Sequence, residues 1–112
     1  MRLDAYTVVF LRRPPGAPQL SDDELAALQR EHLAFNARMR DAGHAVITGP
    51  VSGQPDESLR GLSVFRRSVD ETRKLMDGDP SVRAGRLVVD VFTWYMPAGS
   101  LGSHPAAQID DD

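Results

Sequence analysis

A histidine at position 32 sits where the surrounding pattern calls for an apolar residue. In "LSDDELAALQREHLAFNARMRDAG", residues 20–43, Leu25, Leu28, His32, Phe35, Met39 and Ala42 recur at spacings of three and four, which puts them on one face of a helix. A buried imidazole needs partners for its nitrogens, because an unmet one costs about 1–3 kcal/mol. It is then either a core histidine satisfied by backbone carbonyls or a general base working near neutral pH. A nearby carboxylate separates the two. Glu24 and Glu31 are rotated away from the stripe, and Asn36 lies one turn on but is only an amide. Asp90 falls inside a strand, facing an interface or an edge. Asp79 opens a proline turn, "DPSVRAG", where a carboxylate is held stiffly. Helix capping alone explains an Asp-Pro step. If Asp79 also reaches His32, it fixes the tautomer and leaves the far nitrogen as the proton acceptor.

Other chemistries have less support. The chain has no cysteine, which excludes a disulfide framework, thiolate catalysis and cysteine-ligated zinc. His44 and His104 make no ligand spacing with His32, so no metal site is expected. The Arg-Arg pairs at 12–13 and 66–67 follow apolar runs and read as solvated strand ends, although Arg12 could hold an anionic group. A net charge of −3 argues against a nucleic-acid partner. No apolar run nears the ~20 residues that cross a bilayer, and "MRLDAYTVVFLRR" lacks the order of a signal peptide. The expectation is a cytoplasmic protein without membrane contact.

With 112 residues, 41% of them hydrophobic, the chain has room for one domain and one modest core. "AYTVVFL" (5–11) reads as a strand ended by "RRPPGAPQ". Ser21 with Glu24 forms a capping box that opens the long helix, and Gly43 stops it. "HAVITGPV" (44–51) and "LSVFRR" (62–67) are the next strands. Ser68 with Glu71 opens a shorter helix to about Met76, and Asp79-Pro80 begins one more helical turn. "RLVVDVFTWYM" (86–96) is the last strand. Residues 1–96 therefore form the domain, and 97–112, small, polar and acidic, read as a flexible tail. The order β-α-β-β-α-β suits a ferredoxin-like α+β sandwich, two helices on one face of a four-stranded antiparallel sheet.

Alternation in the outer strands gives that sheet two apolar faces. In the first strand Thr7, Val9 and Leu11 oppose Tyr6, Val8 and Phe10. In the last strand Leu87, Val89, Val91 and Tyr95 oppose Val88, Phe92, Trp94 and Met96. Two helices cover only one face. A second copy of the chain is the expected cover for the other, giving a homodimer with sheets face to face. The tail, with only Leu101 and Ile109 as large apolar residues, is the weaker candidate.

"REHLAFNARMRDAGHAVITGPV" followed by "DPSVRAGRLVVDVFTWYM" resembles the YciI-like (YCII-related) family. The likeness runs from about Tyr6 to Met96, and Asp79-Pro80-Ser81-Val82-Arg83-Ala84-Gly85 is its most specific piece. The resemblance implies a dimeric α+β barrel and a His-Asp active site, which lands on His32 and Asp79. The family includes an enzyme that removes chloride from a chlorinated hydroxyhydroquinone. This chain departs from the short prototypes in its proline-rich connection, "RRPPGAPQLSDDE", and in "TWYM", where they often have a lysine-proline step. The expected function is cofactor-free lyase, dehydrochlorinase or isomerase chemistry on a small polar, aromatic or enolic metabolite. Arg12, Phe35, Gly49, Pro50 and Trp94 are the expected substrate-binding residues, with Met39 as further wall. Gly49 is expected to supply a special backbone angle or a close approach. The competing expectation is a non-catalytic dimeric module that binds a small molecule or a protein; haem, held by relatives in fold, is a third.

Overall fold

The computed structural model describes residues 1–102. Strand β1 (Leu3–Arg12) is followed by helix α1 (Asp22–Asp41), strands β2 (Ala45–Pro50) and β3 (Leu59–Phe65), helix α2 (Val69–Met76), the single turn α3 (Pro80–Arg83) and strand β4 (Val88–Pro97). The strands lie in the order β2-β3-β1-β4, every neighbouring pair antiparallel. This is the ferredoxin-like α+β arrangement expected from the element order.

Local signals set the helix starts. The Ser21 hydroxyl accepts from Glu24 N–H at 3.2 Å, and the Glu24 carboxylate accepts from Ser21 N–H at 3.1 Å, which closes the capping box of α1. Ser68 accepts from Glu71 N–H at 3.1 Å, but the Glu71 carboxylate takes the Ser68 hydroxyl rather than its backbone. β1 and β3 run longer than their apolar runs, whereas β2 is two residues shorter than the expected 44–51 and β4 one shorter than the expected 86–96. β1 and β4 pair without interruption from Leu3 opposite Pro97 to Arg12 opposite Val88, so pairing carries both past the residues that propensity alone marks. β3 begins at Leu59 rather than Leu62 for the same reason. At its end, Arg66 and Arg67 leave the strand to reach the cap of α2.

The sheet has the two apolar faces that strand parity requires. On one side Val9, Leu11, Phe65 and Val91 pack with Phe35 of α1 and Met76 of α2. On the other, Tyr6, Val46, Val64 and Met96 form a second cluster, with Leu101 folded against it. Ala98 N–H and Gly99 N–H donate to Arg2 O at 3.0 Å and to the Asp4 carboxylate at 2.9 Å, which draws the chain after β4 back beside β1. Ile109 and the rest of the expected tail from 103 onward lie outside the described residues. Leu101 covers only one end of this face. Leu62, Val88, Phe92 and Trp94 stay exposed.

Helix α1 lies unevenly on the sheet. Of its twenty residues only Phe35 and Asn36 are buried. Leu25 and Leu28, members of the apolar stripe, line a cavity instead of entering the core. The N-terminal half of α1 thus stands off the sheet, and the space beneath it is the site.

Candidate active site

The cavity measures about 860 Å³ and opens between α1, the edge strand β2 and the ends of β1 and β3. His32 reaches it from the middle of α1, with its side chain about 13% exposed. Behind the ring lies Asp79, with no exposed surface. Nδ1 of His32 is 2.8 Å from one Asp79 oxygen and 3.0 Å from the other. A carboxylate only accepts, so Nδ1 carries the proton and donates. Asp79 is also the N-cap of α3, where Oδ1 accepts from Ser81 N–H at 2.9 Å. The cap and the histidine partner are one residue. Two constraints from different parts of the chain therefore hold one carboxylate, and it in turn fixes the ring.

In the neutral ring that arrangement puts the lone pair on Nε2, on the side away from Asp79. Among the described residues the one donor neighbouring Nε2 is the Asn36 amide, a long contact at 3.4 Å. A nitrogen held this way, beside a cavity and weakly engaged, can take a proton from a bound molecule. His32 has the geometry of a base.

The chain shares its fold with a solved structure. The structure of 5-chloro-2-hydroxyhydroquinone dehydrochlorinase from Burkholderia phenoliruptrix AC1100, in complex with 2,5-dihydroxybenzoquinone, is similar, with a TM-score of 0.52 at 22% identity. The similarity covers 89% of this chain and 98% of that one. A hydroxynitrile lyase from Passiflora edulis overlaps at a TM-score of 0.44 and 14% identity, over 85% of this chain and 94% of its own, too loosely to carry an argument. No protein-family model and no curated protein matches the chain. At these identities the likeness shows the fold and nothing finer.

The other expected site residues divide. Gly49 and Pro50 line the cavity from β2. Gly49 has neither the special backbone angle nor the close approach expected of it: its φ is not positive, and a Cβ there meets nothing within 4 Å. The close approach belongs to Gly61, the cross-strand partner of Pro50, where a Cβ would lie 3.1 Å from the Gly49 carbonyl oxygen. Phe35 is in the core at 3% exposure, turned away from the cavity, and Met39 packs beside it. Trp94 stands half exposed on the opposite face of the sheet. Arg12 points to that face too. Its Nε donates to Asp90 at 2.7 Å, its Nη1 to Asp56 at 3.0 Å, and its guanidinium sits 5.6 Å from the Phe10 ring centre. Both carboxylates keep it occupied.

The cationic groups of the cavity are different arginines: Arg13, Arg40, Arg60 and Arg86 line it, with no carboxylate on the wall among the described residues. One signal for them was present in the sequence. Alternation puts Arg13 on the side of Leu11, toward the helices, and Arg12 on the other. Arg60 had no such signal. Leu11 pairs with Gly61 and Arg12 with Leu59, so Arg60 is the extra residue of a bulge, and its direction depends on tertiary pairing. Among the described residues, no group of three or more His, Cys, Asp or Glu stands together as a metal site, and no helix is long and apolar enough to cross a membrane.

Proposed function

We propose that this chain is a YciI-like enzyme that performs cofactor-free lyase or isomerase chemistry on a small polar metabolite. The observation that carries the reading is the His32–Asp79 pair at 2.8 Å, buried on the Asp79 side and open to an 860 Å³ cavity on the Nε2 side. His32 takes a phenolic proton, or a proton beside a carbonyl, onto Nε2, while Asp79 holds the ring and balances the imidazolium that forms. The substrate's own oxygen carries the negative charge. Return of the proton at another atom completes an isomerisation, and loss of a leaving group completes an elimination. Leu25, Leu28, Gly49 and Pro50 supply wall.

The acting unit in this proposal is a cytoplasmic homodimer joined through the open sheet face, closing the α+β barrel. Exposed Phe92 and Trp94 favour it, since a bare apolar patch of that kind is unusual on a monomer.

The test is a screen of the purified protein against phenols, lactones and halogenated quinols, followed by His32→Gln. Removal of a general base is expected to lower turnover at least ~100-fold. Folding stability should stay within about 1 kcal/mol, because the amide keeps a hydrogen bond to Asp79. Turnover unchanged in a folded His32→Gln protein would remove the enzymatic reading. A collapse of stability would make His32 a core residue.

A further inference from the structure

Arg13, Arg60 and Arg86 line one cavity, and among the described residues no negative charge on its wall balances them. They come together where β1 ends, β3 begins and the chain enters β4. Arg13 N–H donates to Ser58 O at 2.8 Å, Arg60 occupies the bulge opposite the end of β1, and Arg86 N–H donates to Ser81 O at 3.0 Å. Arg86 Nη1 rests on the Pro18 carbonyl at 2.8 Å, and Arg60 Nη1 on the Glu57 carbonyl at 3.3 Å. The Arg13 guanidinium has no hydrogen-bond partner among the described residues. None of the three has a carboxylate within ion-pair distance among the described residues, while Arg12, one residue from Arg13, takes both Asp56 and Asp90. Asp79 is spent on His32 and Ser81. The crowding is felt electrostatically: loss of hydration, then the charges of Arg86 and Arg60, lower the pKa of Arg13 from its ordinary value. Arg13 and Arg60 are exposed and Arg86 is half-buried, so the like charges crowd at the mouth of the cavity, where an incoming anion relieves their repulsion. The planar fork of arginine matches a carboxylate or phosphate through two parallel hydrogen bonds.

We propose that Arg13, Arg60 and Arg86 receive an oxyanion group of the substrate, a carboxylate or a phosphate, and so hold the rest of that molecule beneath His32. The inference deepens the catalytic reading of the site and rests on it for its role in turnover. It also explains why, among the described residues of a chain of net charge −3, none that lines this cavity is acidic.

Calorimetric titration of the full chain at neutral pH with benzoate, phenyl phosphate and neutral benzyl alcohol tests it. Either anion should bind at least about tenfold more tightly than the alcohol, the yield of roughly one charge-assisted contact. Whichever anion binds more tightly names the group. The advantage should shrink with added salt. It should vanish in an Arg13→Gln, Arg60→Gln protein whose melting curve matches the parent, and persist in His32→Gln. Should the double variant fail to fold, Arg13→Gln alone must still weaken anion binding without affecting the alcohol. Equal binding of anion and alcohol by the parent, or undiminished anion binding by a folded arginine variant, overturns the proposal. Anion binding without turnover of any carboxylate or phosphate substrate would end the catalytic reading and leave the anion site standing. Turnover of neutral phenols with no preference for anions would do the reverse.

Discussion

Asp79 shows how one side chain sets the chemistry of another. Its Oδ1 is claimed by Ser81 N–H, and its Oδ2 lies closest to His32 Nδ1. In Asp79→Asn the Ser81 N–H keeps the amide oxygen, so the NH₂ turns toward the ring. Nδ1 must then accept, and the proton moves to Nε2, where a base is needed. Nitrogen NMR of the neutral ring is expected to show Nδ1–H in the parent and Nε2–H in the variant. Any proton abstraction should fall by about 10³–10⁴-fold, the scale seen when a catalytic histidine is held in the wrong tautomer. An unchanged tautomer with full activity would mean that Asp79 only caps α3. This pairing was partly legible in the sequence, because the helical stripe marks His32 and the Asp-Pro step marks a rigid carboxylate. Their meeting across 47 positions was legible only through the family resemblance. It depends on where α3 packs against α1, which no local pattern encodes.

The start of α1 offers a prediction at the scale of an element. Hydrogen bonds from the backbone and then the side chain of Ser21 hold the Glu24 carboxyl below its ordinary pKa of 4.5. A group whose pKa falls on folding favours the folded state above its unfolded value, and that contribution fades as the pH drops through the folded one. Thermal melts should therefore show the parent more stable than Glu24→Gln at neutral pH and the two converging below about pH 4.5. A gap that persists in acid would place the role of Glu24 elsewhere. Ser21→Ala should cost about 1 kcal/mol, the usual worth of an N-cap, near neutral pH. Caps of this kind made the helix starts readable. What could not be read is that α1 rests on the sheet through its C-terminal half alone. A stripe such as Leu25, Leu28, His32 and Phe35 looks the same whether it faces a core or a cavity. Phe35 consequently belongs to the core and Leu25 to the wall, although both obey one period.

At the scale of the whole molecule, the strand alternation that gave two apolar faces also separates two kinds of failure. Val91 lies against the helices at 8% exposure, and Phe92, its neighbour in the chain, is 43% exposed on the other face. Phe92 meets Phe10 edge to face, with ring centres 5.1 Å apart, in a hollow also lined by Val8, Leu62 and Trp94. The ion pair of Arg12 with Asp90 borders this surface and leaves its centre apolar. If a second copy seats there, light scattering of the parent should give twice the 12.3 kDa of one chain. Phe92→Lys should give a folded protein of single mass, because the charge would be stripped of water only in the assembled state. Val91→Lys should instead unfold, since it buries an unpaired ammonium inside each subunit, a change costing about 4 kcal/mol or more. The contrast between adjacent residues is the informative result. A parent of single mass, or a Phe92→Lys protein that still pairs, would mean that the open face has another cover. Unfolding of both variants would mean that the two faces are equally part of one subunit's core.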